Sequence, residues 1–143
     1  HTGAWDRTVA ALERVIRLAP EAVDAYANAA WLLWSTNKTE QALAYYHRLI
    51  ANNPDNPEAY YIFGQYYFTR KQYQEALPQL QRAVALGLTS PKRHVLGHCL
   101  VKLERPQDAL AFWRRVLAEE PGNEVAAREI NKLTDPPAPD PAP

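Results

Sequence analysis

The chain has 143 residues, of which 47% are hydrophobic, enough for one domain with a sizeable core and more than a disordered chain carries. Sixteen Lys and Arg balance 16 Asp and Glu, so no global field would recruit nucleic acid or an anionic membrane surface. The single Cys99 excludes an internal disulfide and leaves the redox compartment undecided. No apolar run reaches the roughly 20 residues of a membrane span, so we expect a soluble chain. Its compartment stays open, with a slight preference for the cytoplasm over the periplasm or the exterior.

The spacing of apolar residues predicts helices along nearly the whole chain. Between Tyr26 and Leu33 these residues follow steps of three, one and three, which places them on one face of an α-helix, and the same steps return from Tyr60 to Tyr67. In chain order we predict helices at 5–18, 22–35, 39–52, 57–70, 73–86, 91–103, 107–119 and 124–133. Residues 134–143 contain five prolines and no core residue, which predicts an extended, flexible tail.

Residues at the helix boundaries agree with this division. Asn56 and Ser90 each precede a proline, a pairing typical of a side-chain cap followed by proline in the first turn, and Asn123 is expected to cap the last helix. Gly87 lies where a helix must end and suits a left-handed C-terminal cap. Pro78 falls inside a predicted helix and is expected to bend it.

The predicted helices repeat in pairs with a period of 33 or 34 residues. Equivalent positions hold Ala42, Ala76 and Ala109 in one case, and Tyr46, Leu80 and Trp113 in another. A period of this length indicates a stacked repeat, in which no unit buries its apolar face alone.

Small and aromatic residues at these positions resemble the tetratricopeptide repeat. The match is fullest in 57–89, through Tyr60, Phe63, Gly64, Tyr67, Ala76, Leu80 and Ala83. Units 23–56 and 90–123 match at fewer positions; Arg93 replaces the aromatic residue in the latter, and we expect looser packing there. Residues 5–20 resemble only the second helix of a unit, and residues 1–6 the turn before it, so the chain is expected to begin inside a repeat.

The resemblance implies an all-α, right-handed solenoid of antiparallel helix pairs over residues 1–133. It would contain the partial unit 5–20, three full units at 23–56, 57–89 and 90–123, and a capping helix at 124–133. The capping helix is expected to cover the last unit and to turn its charged residues to water, namely Glu124, Arg128, Glu129 and Lys132.

In this family the first helix of each unit lines a concave groove that holds peptides or helices of other proteins. The resemblance therefore implies a non-catalytic scaffold whose partner is another protein. The candidate contacts are first-helix residues that packing does not require: Asn28, Trp31, Trp34, Tyr61, Gln65, Phe68, His94, His98 and Lys102. Trp31 and Tyr61 are the leading candidates because large, flat, amphipathic side chains are enriched at binding hot spots, although both could simply fill the wall between adjacent helices. The family's clamp for chaperone C-terminal carboxylates is not expected, because Asn28 alone matches it.

Catalytic and metal-binding patterns are weak. His94 and His98 share a helix face that could chelate a metal, but no third ligand is evident, and Cys99 follows a small-residue position that favours a buried thiol. No glycine-rich phosphate loop or activated carboxylate pair occurs, so we expect no catalytic residues, no metal and no cofactor.

Two alternative functions stay open. The chain could be a regulatory or assembly segment of a larger protein, possibly an enzyme, with other domains upstream, or it could self-associate through the half-unit around Trp5, Val9 and Leu12.

Overall fold

The computed structural model describes residues 2–135, which form eight α-helices and no strand. The helices are α1 (Thr2–Leu18), α2 (Val23–Ser35), α3 (Thr39–Asn52), α4 (Pro57–Thr69), α5 (Tyr73–Ala85), α6 (His94–Lys102), α7 (Pro106–Glu119) and α8 (Glu124–Thr134). Helices adjacent in sequence pack against each other, giving the helix pairs α2–α3, α4–α5 and α6–α7 between α1 and α8. The predicted all-α solenoid is confirmed.

The helix bounds at both ends of the described chain differ from the prediction. Helix α1 begins at Thr2, so the turn expected over residues 1–6 is helical from its second residue onward. Nothing there interrupts the helix, and the Thr8 hydroxyl donates to the Ala4 carbonyl at 3.0 Å along its axis. Of the predicted tail, Thr134 belongs to α8, and residues 136–143 lie outside the described residues.

The capping predictions are correct at three boundaries. The Asn56 side chain accepts a hydrogen bond from the Glu58 amide at 3.0 Å, and that of Asn123 accepts one from the Ala126 amide at 3.0 Å. Gly87 has a φ of 100°, a left-handed conformation that glycine adopts without steric cost.

The predicted cap at Ser90 is wrong, because helix α6 begins only at His94. The Ser90 hydroxyl instead donates to the Glu120 carboxylate at 2.6 Å and accepts from Arg93 at 2.9 Å. Arg93 itself pairs with Glu119 and Glu120, each at 2.5 Å. Arg93 therefore replaces the expected aromatic residue with an ionic link between the start of α6 and the end of α7.

The same position in the two earlier units explains what the aromatic residue does. The Tyr26 hydroxyl donates to the Pro20 carbonyl at 2.8 Å, and the Tyr60 hydroxyl donates to the Pro54 carbonyl at 3.1 Å. Both bonds reach back six residues and tie the start of a unit to the turn before it. The same hydrogen bond thus recurs at the interval of the sequence repeat in these two units.

Turns between the helices of a pair also repeat. Asn37, Lys71 and Glu104 have φ values of 64°, 61° and 57°, respectively. After each of them a backbone amide bonds to a carbonyl five residues earlier, as in Lys38 to Leu33 at 2.8 Å. This is the pattern of a Schellman cap, which ends the first helix and starts the second within a few residues.

The core forms two clusters of buried apolar residues that meet at α4. One extends from Ile16 to Phe63, and the other from Ala76 to Ala126. Tyr67 of α4 packs against both clusters, so the interior is continuous along the stack. Among residues 2–135, no helix is long and apolar enough to cross a membrane.

Two glycines let neighbouring helices approach closely. A Cβ atom at Gly64 would lie 2.7 Å from the Leu80 side chain, and one at Gly97 would lie 2.4 Å from the Trp113 ring. Such distances leave no room for a methyl group without displacement. The small positions of the repeat are therefore steric requirements of the α4–α5 and α6–α7 contacts.

The capping helix departs from the expectation at one residue. Glu129, predicted to face water, is only 8% exposed. Its carboxylate is 3.2 Å from the Lys132 ammonium and 4.0 Å from the Arg128 guanidinium. Burial of the carboxylate is tolerated because two cations on the same helix accompany it.

Helix α1 docks on α3 through polar contacts as well as apolar ones. The Arg48 guanidinium donates two hydrogen bonds of 3.0 Å to the Glu13 carboxylate, and the Tyr45 hydroxyl adds a third at 2.9 Å. The bidentate Arg48 bonds are the main cause that lowers the pKa of Glu13. The half-unit is thus held at a defined position on the first full unit.

Candidate functional site

A concave site of about 330 Å³ lies between the first helices of two successive units, α2 and α4. Its lining is largely aromatic and includes one charged residue: Trp31, Trp34, Tyr46, Tyr61, Ile62, Gln65, Tyr66, Thr69 and Arg70. We call these residues the aromatic pocket. Its volume and its apolar walls with a few polar groups are typical of ligand-binding clefts.

The packing of α2 directs its two tryptophans into the pocket. Tyr26, Ala30 and Leu33 are buried in the first core cluster, which fixes the inner face of the helix. Trp31 and Trp34 lie on the other side and keep 56% and 39% of their surface exposed. An indole exposed to this degree stabilises the fold little but offers a large apolar area to a partner.

The rear of the pocket consists of stacked rings from α3 and α4. Tyr46 lies 5.3 Å from Phe63 with nearly parallel planes and 4.7 Å from Tyr66. Burial raises the pKa of Tyr46 to about 12, and burial also raises the pKa of Tyr61. These two phenols therefore stay uncharged at neutral pH, so the rear wall is aromatic and carries no charge.

Arg70 supplies the charge of the pocket. It follows the last residue of α4, and its guanidinium lies 5.4 Å from the ring centre of Trp34 and 5.3 Å from that of Tyr66. Contact with two ring faces holds the cation at the pocket rim. Within residues 2–135, no carboxylate lies within 4.0 Å of it.

Two lining residues carry polar atoms without a hydrogen-bond partner in the described part of the chain. They are the side-chain oxygen of Gln65 and the hydroxyl of Tyr66, and both atoms are shielded from solvent. Buried polar atoms normally have partners, and an unpaired one costs about 1–3 kcal/mol. Both residues line the pocket, so these unpaired polar atoms lie in its wall.

An ion pair between units lies beside the lining residue Tyr61. Lys92, just before α6, donates to the Glu58 carboxylate at 2.8 Å, and its ammonium lies 5.5 Å from the ring centre of Tyr61. The hydrogen bond to Glu58 is the main cause that raises the pKa of Lys92. Lys92 is thus already paired, whereas Arg70 has no carboxylate within 4.0 Å among residues 2–135.

The structure brings together four of the predicted contact residues, namely Trp31, Trp34, Tyr61 and Gln65. The lining also includes Tyr46, Tyr66 and Arg70, which sequence reasoning did not select. Tyr46 occupies a packing position of the repeat, and Arg70 follows the helix rather than lying in it. Tyr66 could have been found, because it lies next to a packing position and is large and amphipathic.

The other predicted contact residues lie outside the aromatic pocket. Asn28 and Lys102 are exposed on α2 and α6. Phe68 is partly buried, packs on the second core cluster and makes an edge contact with Tyr73 at 5.4 Å. His94 was expected on the groove surface but is only 9% exposed, so that prediction of its position is wrong.

His94 and His98 flank the buried Trp113, with ring centres 5.3 and 5.2 Å away from the indole. The His94 Nε2 atom also lies 3.1 Å from the side-chain nitrogen of Asn123, which links α6 to the cap of α8. Burial is the main cause that lowers the pKa of both histidines. The pair therefore braces the core between α6, α7 and α8.

The thiol and the potential metal ligands have structural surroundings. Cys99 is fully buried and donates to the Tyr73 carbonyl at 3.4 Å, and burial raises the pKa of its thiol to about 11. A thiol in this state is a poor nucleophile. In the described part of the chain, no group of three His, Cys, Asp or Glu side chains converges as a metal ion would require.

Comparison with protein families identifies the architecture. A model of the family described as "Anaphase-promoting complex, cyclosome, subunit 3" matches residues 35–116, more than half of the chain. A tetratricopeptide repeat model matches residues 2–66. The chain belongs to the tetratricopeptide repeat (TPR) family.

Solved TPR structures superpose on this chain. YrrB, described as a TPR protein with an unusual peptide-binding site, has a TM-score of 0.65 and 30% identity over 86% of this chain, which spans 64% of YrrB. MamA has a TM-score of 0.68 and 22% identity, covering 92% of this chain and 78% of its own. The first TPR of Spaghetti (RPAP3), bound to the HSP90 peptide SRMEEVD, has a TM-score of 0.60 and 24% identity, covering 78% of this chain and 91% of its own. Curated protein sequences give no match.

Proposed function

We propose that this TPR domain is a non-catalytic scaffold that holds a segment of another protein in the aromatic pocket. The observation that carries the proposal is the pair of exposed tryptophans, Trp31 and Trp34, above a wall of buried rings. Aromatic side chains that line a concave surface are the usual hot spots of protein interfaces. Gln65 and Tyr66 add polar side chains to the lining, and a change of rotamer would let them hydrogen-bond to a peptide backbone.

The peptide-bound relatives support the same class of function. YrrB is described as having a peptide-binding site, and the RPAP3 domain holds a peptide of HSP90. In the present chain the lining consists mainly of rings, with a single charged residue, Arg70, between α2 and α4. The partner segment is therefore expected to bring an apolar side chain to these rings.

A selection experiment tests the proposal. A random library of displayed 12-residue peptides is selected on the wild-type chain, and each enriched peptide is measured against Trp31→Ala and Trp5→Ala. Trp5 is also exposed, at 42%, but lies on α1 outside the aromatic pocket, so it is a matched control. Loss of a hot-spot indole should weaken binding at least tenfold, whereas the control should bind like wild type.

Two results of the selection would contradict the proposal. Enriched peptides that bind Trp31→Ala as well as they bind wild type would show that the aromatic pocket is not their site. A library that yields no peptide dependent on Trp31 would count against a peptide-holding groove altogether. Circular dichroism should show the same helix content in all three proteins, because both tryptophans lie largely outside the core.

A further inference from the structure

The aromatic pocket combines an apolar recess with one cation, Arg70, that has no carboxylate within 4.0 Å among residues 2–135. Arg70 is the single charged residue of the lining, and it lies at the rim where α4 ends. The ion pairs of residues 2–135 include the adjacent Lys92 but not Arg70. We propose, as an extension of the proposed function, that the pocket selects an acidic segment in which a large apolar side chain is flanked by carboxylates.

The geometry divides the ligand into two parts. The recess between Trp31, Trp34 and Tyr61 receives the apolar side chain, because its walls are rings and its volume of about 330 Å³ fits one large side chain with neighbouring backbone. The guanidinium of Arg70 receives the carboxylate of a residue next to it. Its planar fork donates two parallel hydrogen bonds to such a group.

A cationic ligand is disfavoured by the same contacts. Aromatic pockets attract cations, but here Arg70 already covers the faces of Trp34 and Tyr66. A lysine or arginine from a partner would have to displace it or lie beside it, and like charges at such distances repel. Because Arg70 already occupies the faces of these rings, the pocket favours an anionic ligand over a cationic one.

A phosphorylated segment fits less well than a carboxylate. A phosphate carries nearly two negative charges and is usually bound by more than one cation. The second cation nearby, Lys92, is held by Glu58 at 2.8 Å and stacked on Tyr61. A carboxylate matches the single charge that Arg70 offers.

The test uses short capped peptides of fixed design and the isotope-labelled chain. Each peptide has Leu, Phe or Trp at its centre, flanked on both sides by Asp, by Asn or by Lys. The indole N–H signals of Trp31 and Trp34 report the occupied pocket, and that of Trp5 reports non-specific binding. We expect the Asp peptides to shift the signals of the two pocket tryptophans and to bind at least tenfold more tightly than the Lys peptides, with Asn between them.

Variants at Arg70 separate charge recognition from folding. Arg70→Gln should abolish the preference for Asp over Asn, and Arg70→Glu should reverse the preference toward Lys. Arg114→Gln is the matched control: Arg114 is exposed on α7, forms no ion pair among those described, and lies far along the chain from the pocket. Because Arg70 is itself exposed, melting temperatures of all three variants should stay close to that of wild type.

The outcomes distinguish this inference from the function on which it depends. Peptides that shift the Trp31 and Trp34 signals with no preference among Asp, Asn and Lys would overturn the inference and leave the groove intact. Tighter binding of the Lys peptides would assign the pocket to cations and also overturn it. If no peptide shifts these signals, the inference fails, and the library selection then decides separately whether the groove binds any segment.

Discussion

Replacement of Gly97 by alanine tests the packing that defines the third unit. A Cβ atom at this position would lie 2.4 Å from two ring atoms of Trp113 and 2.8 Å from a ring atom of Phe112. Carbon atoms in contact are normally about 3.5–4.0 Å apart. The fully buried Trp113 ring would therefore have to move by about 1 Å or more.

The size of the effect follows from two opposing contributions. Overpacking a closed core costs about 1–3 kcal/mol. Alanine is a better helix former than glycine by about 1 kcal/mol or slightly less. Because Trp113 is held between His94 and His98 at 5.3 and 5.2 Å, it cannot simply rotate away, and the steric cost dominates. With the overpacking cost in the upper part of its range, the expected net loss is about 1–2 kcal/mol, or a fall in melting temperature of roughly 3–7 °C.

Urea unfolding followed by Trp fluorescence and far-UV circular dichroism measures this loss. Gly3→Ala provides the control, since Gly3 lies in helix α1 and a Cβ there would meet no atom within 4 Å. That variant should match or slightly exceed wild-type stability. If Gly97→Ala were as stable as Gly3→Ala, the close approach of α6 to Trp113 would not be a requirement of the fold, and the steric account of the small positions would be refuted.

Three further predictions concern a turn, an ion pair and two histidines. Gly87→Ala should cost about 1 kcal/mol in urea unfolding although no atom clashes with it, because its φ of 100° is unfavourable for other residues. Glu13→Gln should lower the free energy of unfolding by about 1 kcal/mol at neutral pH. Because Arg48 lowers the pKa of Glu13, the difference in stability from wild type should shrink as the pH falls below the ordinary value of 4.5. A difference that stays constant with pH would contradict this origin. Burial lowers the pKa of His94 and His98 below 6.5, so the unfolded chain binds more protons, and the melting temperature should fall as the pH drops below 6.5; His98→Gln should flatten that slope.

Much of the architecture could be predicted because the repeat places the same steric requirement at the same interval. The helix pairs follow from the spacing of apolar residues, and Asn56 and Asn123 cap their helices as their side chains allow. The left-handed turns at Lys71 and Glu104 could not be predicted, because neither residue type favours that conformation. They adopt it because the packing of the two helices of a unit overrides local preference.

The errors at Ser90 and Glu129 have a common cause, which is competition from residues distant in sequence. Ser90 precedes a proline, as a capping residue often does, but its hydroxyl donates a hydrogen bond of 2.6 Å to the Glu120 carboxylate, 30 residues away. Glu129 belongs to the capping helix, whose charged residues were expected to face water, but its position on α8 is buried against the last repeat. Periodicity identifies the face of a helix only where the neighbouring unit follows the same pattern.

The candidate site was predictable to the extent that it uses residues unnecessary for packing. Trp31 and Tyr61 stood out because the repeat does not require large residues there, and both line the pocket together with Trp34. Tyr46 was missed because it does two things at once, filling the core with 6% of its surface exposed while its ring forms part of the pocket wall. Arg70 was missed because the cation's contacts with two rings depend on the turn that follows α4.

This division between packing and lining residues decides which substitutions are informative about binding. Removal of the Tyr46 ring would leave a cavity beside Phe63, at a cost of about 3–5 kcal/mol for an aromatic truncation, so lost binding would only report unfolding. Trp31 has 56% of its surface in solvent, so its removal perturbs the pocket without opening the core. Arg70 likewise lies outside both core clusters. Trp31, Trp34 and Arg70 thus lie apart from the buried residues that stabilise the fold, and substitutions at these three positions test the proposed recognition without opening the core.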